Sequence, residues 1–230
     1  MHLHRDGTEI CALTINTLPD AMNTSAWGPP AWRLLHGLAA LVPARRADAT
    51  AARELHAWHA CIRALRACLP CVYCRESFGY VSRPLPRENV DVWWWYVHEL
   101  VNIKLKKRRV SFERARARLA PFVDADDVWL LLGAMSCNTD NAAQDAGTTY
   151  QSKRRGLCAF IRALRELLQL AAARQPRLGG LASTLALVCR QWSGNTQSPL
   201  LKTLADVRSH TVPAPRTQAF VARVKRMCVR

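Results

Sequence analysis

The sequence lacks most of the features that assign a chain to a class at sight. No uninterrupted apolar run approaches the ~18 residues that a membrane-crossing helix needs. The first 24 residues hold no basic region followed by an apolar core, which excludes a recognisable secretory leader. A soluble, intracellular and cytoplasmic protein is the expectation. Glycine is scarce, ten residues in 230, while half of the residues are hydrophobic, so the chain reads as globular and mostly helical. Acidic residues are few: 17 stand against 33 lysines and arginines, a formal charge of +16. Such an excess suits an anionic partner, whether nucleic acid, an acidic protein surface, a phosphorylated cofactor or a membrane face. A solvated basic surface with no dedicated partner is the plainer alternative. There is no internal repeat.

Periodicity supplies the helices. In "SAWGPPAWRLLHGLAALVP", Pro29 and Pro30 suit a first turn, and Pro43 ends the segment. Trp32, Leu35, His36 and Ala39 share one face of it. In "ATAARELHAWHACIRALRACL", Leu55, Trp58, Ile62, Leu65 and Leu69 form a stripe at steps of three and four, broken by Pro70. A long helix is expected from near Asn89 through "VDVWWWYVHELVNIKLKK", and a short one at "SFERARARLAPFV" with Ser111 as cap. Residues 1–24 read as a flexible leader and 137–155 as a polar linker or loop. Two further helices follow at "GLCAFIRALRELLQLAAAR" and "GGLASTLALVCRQW", then a basic amphipathic end, "TQAFVARVKRMCVR". The division is 1–24 leader, 25–125 first domain, and 126–230 helical extension.

Cysteine is plentiful, with nine residues. Three of them stand at three-residue intervals in "CLPCVYC": Cys68, Cys71 and Cys74. A structural zinc site wants a second close pair, and none exists. An iron–sulfur run wants a fourth cysteine soon after, and the next is Cys137. A CxxC pair opening a helix has a different use. The positive end of the helix dipole and the unpaired backbone N–H groups stabilise a thiolate there. Two cysteines on one turn then close a reducible disulfide. Flanking helical pattern argues against a thioredoxin-type fold, so a redox pair in this frame needs another electron acceptor. His98, Asn102 and Leu105 line one face of the following long helix, where polar side chains need partners. Cys61 and Cys68 fall on one helical face and read as packed thiols, although Cys68 stands close enough to compete with the redox pair. Of Cys137, Cys158 and Cys189, at least two are expected to be buried thiols. Cys11 and Cys228 stand alone near the two ends.

Taken in order, "WGPPAWRLLHGLA", "LPCVYCRESF" and "WYVHELVNIKLKK" resemble the motifs of the Erv/ALR family of FAD-linked sulfhydryl oxidases. The likeness covers roughly residues 25–120. The versions from large DNA viruses look nearest, through "LPCVYCR" and "VSFERA". The resemblance implies an all-α fold, a four-helix bundle holding FAD, here with additional C-terminal helices, usually as a homodimer. It implies that Cys71 exchanges with incoming dithiols and that Cys74 lies against the flavin. It further implies Trp27, Trp32, His36, His98, Asn102 and Lys107 as cofactor-binding residues. Three departures stand out. Glu99 replaces an asparagine, Lys106 and Arg108 replace a glycine and a proline, and Trp95 and Phe112 occupy the positions of a disulfide in cellular members. An aromatic contact is expected to fill that last gap.

The resemblance also implies a reaction. Electrons pass from a dithiol protein, or a thioredoxin-like relay protein, through Cys71–Cys74 to FAD and then to oxygen, giving hydrogen peroxide. No metal is expected. The alternative from another class is a helical protein- or nucleic-acid-binding module whose oxidase core is degenerate.

Overall fold

Pro70 does what its chemistry requires: the preceding helix stops at Cys68, and a new one starts two residues beyond the proline. In the computed structural model, residues 24–45, 49–118, 122–140, 150–194 and 199–228 are described. Among them the secondary structure is helical throughout. The helices are α1 (Thr24–Leu41), α2 (Ala49–Cys68), α3 (Val72–Val81), α4 (Val90–Lys104), α5 (Phe112–Arg118), α6 (Ala125–Asp140), α7 (Tyr150–Ala171), α8 (Arg177–Gly194), α9 (Leu200–Ser209) and α10 (Ala214–Cys228). The all-α expectation holds, with additional helices after the first bundle. The expected leader, with Cys11, lies outside the described residues, as do 141–149 of the expected linker. The ends of that linker are helical, in α6 and α7.

The stripe predicted for α2 is buried at Trp58, Ile62, Leu65 and Leu69, with Leu55 half-buried; in α1 burial extends beyond the predicted Leu35, His36 and Ala39 to Leu34 and Leu38, and Trp32 is half-buried. Leu34, Leu38, Trp58, Ile62 and Leu65 are essentially inaccessible and belong to one apolar cluster that runs on through α6, α7 and α8. The helices after residue 125 therefore pack beside the first five. α7 runs antiparallel along α2, with Arg53 paired to Glu166 near one end and Ala67 against Gly156 near the other. α1 lies between α4 and α6, while α6 also carries α9 and α10.

Two glycines permit close crossings. A Cβ on Gly37 of α1 would stand 2.5 Å from the Phe122 carbonyl oxygen, so the 122–124 strap can cross α1 only over a bare backbone. A Cβ on Gly133 of α6 would stand 2.4 Å from Val224 Cγ2, which lets α10 sit against α6. Below that contact Cys137 and Cys228 are joined by a disulfide. This corrects the expectation that Cys228 stands alone, and it leaves Cys158 and Cys189 as the two thiols expected among the three. Cys158 and Cys189, on α7 and α8, are half-buried thiols.

Polar ties fix the strap and the helix ends. The Arg33 guanidinium binds Asp127 with two contacts, 2.9 and 2.6 Å, in the first turn of α6, where carboxylates also favour the helix dipole. The Gln175 side chain exchanges two hydrogen bonds with the backbone of Val123, at 3.1 and 2.9 Å. Trp58 Nε1 donates to the Val42 carbonyl at 2.8 Å, beyond the end of α1. These contacts hold α1 and α2 as fixed walls for the cysteine corner and the aromatic cluster beside it.

Candidate functional site

Cys71 is the N-cap of α3. Its backbone is extended, at φ −99° and ψ 132°, and its sulfur accepts from the Cys74 backbone N–H at 3.4 Å. A residue at this position normally offers an oxygen to the orphan N–H groups of the first turn; here a sulfur does so. Arg75 clamps the corner from behind, its guanidinium donating to the Leu69 carbonyl at 2.7 Å. Both cysteines are thiols in this structure, and they differ in access: Cys71 is 0% exposed, whereas Cys74 is half-buried.

The pair is electrostatically asymmetric. A hydrogen bond from the Cys74 side chain pulls the Cys71 thiol down to about 7, against burial and with help from the Cys74 and Tyr73 backbone N–H groups and the Arg75 charge. The same hydrogen bond, with burial and the Cys71 charge, pushes the Cys74 thiol far up, while Arg75 and Lys104 oppose the rise. Cys71 is thus the thiolate of the reduced pair and Cys74 its donor. Cys61 and Cys68, both fully buried, are pushed up by loss of solvent. Neither is suited to nucleophilic work; Cys68 lies 4.0 Å from the Met135 sulfur and acts as packing.

From α3 an aromatic path leads to the remaining candidates. Phe78, one turn beyond Cys74 on the same helical face, stacks on Trp94 at 5.9 Å. Trp94 meets Trp32 edge-on at 6.2 Å, and Trp32 lies flat on His98 at 3.8 Å with 2° between the rings. His36 Nε2 is 3.0 Å from His98 Nδ1, so one imidazole donates to the other. That bond requires at least one ring to be uncharged. Burial, and for His36 the neighbouring ring, lowers His36 to about 3; burial, with Lys107 opposing protonation and Glu99 favouring it, lowers His98 to about 4. Both are neutral at physiological pH. Trp32, His36 and His98, picked out separately by motif and helical spacing, form one contact cluster.

The other expected residues surround it. Trp27 is buried in the first turns of α1, and its indole N–H has no hydrogen-bond partner; neither has that of Trp94. Asn102, one turn after His98, donates to Glu99 Oε1 at 2.9 Å. Glu99 is buried, and its second oxygen accepts the Val110 N–H at 3.2 Å with Arg109 Nε 3.7 Å away. The Glu99 departure therefore ties α4 to the chain leaving it, a role that the sequence marks only as a mismatch. Lys107 is exposed just past α4, its backbone N–H donating to the Asn102 carbonyl at 2.8 Å. Lys106 stands in the left-handed region, at φ 53°. Glycine suits that backbone, which explains the residue that the family motif carries there. Trp95 and Phe112 meet edge to face at 5.9 Å, and Trp95 Nε1 donates to the Val110 carbonyl at 2.9 Å. The aromatic contact expected between α4 and α5 is present. Trp94 and Phe78 had no assigned site role from sequence. Only their spacing from His98 and Cys74 hints at it.

Among the described residues no cluster of His, Cys, Asp or Glu is arranged to hold a metal ion, and no helix is long and apolar enough to cross a membrane. The groups assembled here suit a flavin nucleotide chemically. Two buried indole donors lack acceptors, the imidazoles carry no charge, Trp32 and His98 present flat faces, and lysines stand at the end of α4. No curated protein and no solved structure shows significant similarity to the chain. Residues 29–120, the segment holding the cysteine corner, the aromatic cluster and the α4–α5 contact, match the Erv1 / Alr family, a family of sulfhydryl oxidases.

Proposed function

We propose that this protein is an FAD-dependent thiol oxidase that makes disulfide bonds in dithiol proteins, with Cys71 and Cys74 as the exchanging pair. The observation that carries the reading is the corner itself: two cysteines on the first turn of α3, one of them capping the helix, joined through Phe78 and Trp94 to the Trp32–His36–His98 cluster. The family match over residues 29–120 supports it.

In the oxidised enzyme Cys71 and Cys74 share a disulfide. A substrate thiolate attacks the Cys71 sulfur, forming a mixed disulfide and breaking the Cys71–Cys74 bond. Cys74 leaves as a thiolate: while Cys71 is held in the mixed disulfide, the Cys71 hydrogen bond and charge that raise Cys74 in the reduced pair are absent, and Arg75 and Lys104 favour its charge. The second substrate thiol then attacks the substrate sulfur of the mixed disulfide. It releases Cys71, whose thiolate the α3 N–H groups receive. One dithiol has become a disulfide, and the enzyme pair has gained two electrons and two protons. FAD, when bound, would supply the sink for those two electrons and, through oxygen, the route to hydrogen peroxide. Trp27, Trp32, His36, His98, Asn102 and Lys107 are the residues that hold it in this reading. The uncharged imidazoles keep positive charge off the aromatic cluster, and Glu99 fixes Asn102. Because Cys71 is wholly buried, access to it requires the Leu69–Pro70–Cys71 corner to open, and the Arg75 clamp resists that movement.

Purified protein is expected to show flavin absorbance that bleaches anaerobically with dithiothreitol and returns on admitting air with release of hydrogen peroxide. Cys74→Ser should keep the absorbance and lose turnover. A colourless protein that consumes no oxygen with dithiothreitol would refute the reading, and normal turnover by Cys74→Ser would refute the assignment of that cysteine.

A further inference from the structure

The outer side of α4 is apolar where a solvent-facing helix is ordinarily polar. Val92, Tyr96 and Ile103 fall on one stripe, and they are 40%, 51% and 51% exposed; the position between Tyr96 and Ile103 is the buried Glu99, which the Val110 N–H covers. Tyr80, at the end of α3, is 76% exposed. This stripe is separate from the aromatic cluster. At roughly 100° per residue, Ile103 lies about 140° around the helix from His98.

Cations border the stripe. Residues 104–118 carry eight lysines and arginines and a single carboxylate, Glu113. α5, which supplies Arg114, Arg116 and Arg118, buries none of its residues. It is fastened to α4 through the Phe112–Trp95 contact, so its charges project beside α4. The opposite border is the redox corner. Lys104 donates to Ser77 Oγ, three residues beyond Cys74, and its charge reaches the Cys74 thiol. One surface therefore joins an exposed apolar stripe, a dense positive edge and the half-buried Cys74.

We propose that the outer face of α4, with the cations of 104–118, docks acidic segments bearing apolar side chains, and so selects acidic dithiol proteins as substrates. The selection rests on the thiol-oxidase reading of Cys71 and Cys74, whereas the docking does not. A polypeptide fits better than a nucleic acid because Val92 and Ile103 set aliphatic contact beside the Tyr96 ring, and bases make no use of aliphatic contact. The positive edge both steers an acidic partner inward and repels basic ones.

The test uses the full-length flavin-loaded protein and three fluorescein-labelled peptides with serine in place of cysteine: acidic with leucines, neutral with leucines, and lysine-rich with leucines. Anisotropy should rank them acidic, neutral, basic, and added salt should erase the difference. The triple variant Arg114→Glu, Arg116→Glu, Arg118→Glu should weaken the acidic peptide about tenfold at low salt while dithiothreitol turnover stays at the wild-type rate. Arg116→Glu alone should give a smaller loss in the same direction. Ile103→Ser should weaken the acidic and the neutral peptide alike at every salt concentration. Equal binding of acidic and neutral peptides, or an unchanged triple variant, overturns the proposal. So does an oligonucleotide that displaces the acidic peptide at lower concentration than unlabelled peptide does, which would assign the surface to nucleic acid. Since the peptides carry no thiol, absence of oxidase turnover would sink the enzymatic reading and leave the docking result legible.

Discussion

Replacing Cys74 by alanine should raise the pKa of Cys71, and the size of the change follows from the corner's geometry. The largest force lowering Cys71 is the hydrogen bond from the Cys74 side chain; alanine deletes it and leaves burial opposed only by backbone N–H groups and Arg75. Cys71 stands at about 7 against an ordinary 9.0. A lowering of that size corresponds to about 3 kcal/mol of preferential stabilisation of the thiolate. Because the folded pKa is the lower one, this contribution to folding is fully present above pH 9. It shrinks as pH falls from 9 toward 7 and is absent below 7. Reduced wild-type protein should therefore gain stability relative to Cys74→Ala as pH rises through that window, and converge with it in mild acid apart from a constant offset. Thiolate ultraviolet absorbance should titrate near 7 in the reduced wild type and well above it in Cys74→Ala, and urea melts across the same pH range give the stability difference. An unchanged Cys71 titration in the alanine variant, or a wild-type midpoint near 9, would refute the argument that the Cys74 thiol is the chief support of the Cys71 thiolate.

Two further perturbations test the frame around the site. Lys106→Gly should stabilise the protein by roughly 0.5–1 kcal/mol in urea unfolding, because the left-handed backbone at φ 53° no longer carries a Cβ; destabilisation would mean that the lysine side chain outweighs the strain. Cys137→Ser should lower unfolding free energy under non-reducing conditions by about 2–5 kcal/mol, since the bridge closes a separation of 91 residues, and the loss should vanish when both proteins are fully reduced.

The parts of the fold legible in the sequence are those with punctuation. Pro70, Asn89 and Ser111 each mark a helix start because each changes what the backbone can do, and the helices begin within a residue or two of them. α6 had no such visibility. From Val128 to Cys137 every residue is buried, enclosed by α1 on one side and α9 and α10 on the other, so no polar face interrupts the apolar run to reveal a helical period. At the site, His36 and His98 were legible as single polar residues on apolar faces, but their mutual hydrogen bond depends on the crossing of α1 and α4, which no local spacing encodes. Glu99 was legible only as a departure; its two bonds reach Asn102 within the helix and Val110 beyond it. The Cys137–Cys228 bridge was invisible because its halves meet only after α10 folds back onto α6.

The placement of α7 along α2 restricts how the molecule can associate with itself. The flank of α2 that would otherwise face outward is already covered from within the same chain, from Arg53 to Ala67. A second copy finds no vacant seat there, and any pairing of copies has to begin from surfaces that α7 leaves uncovered.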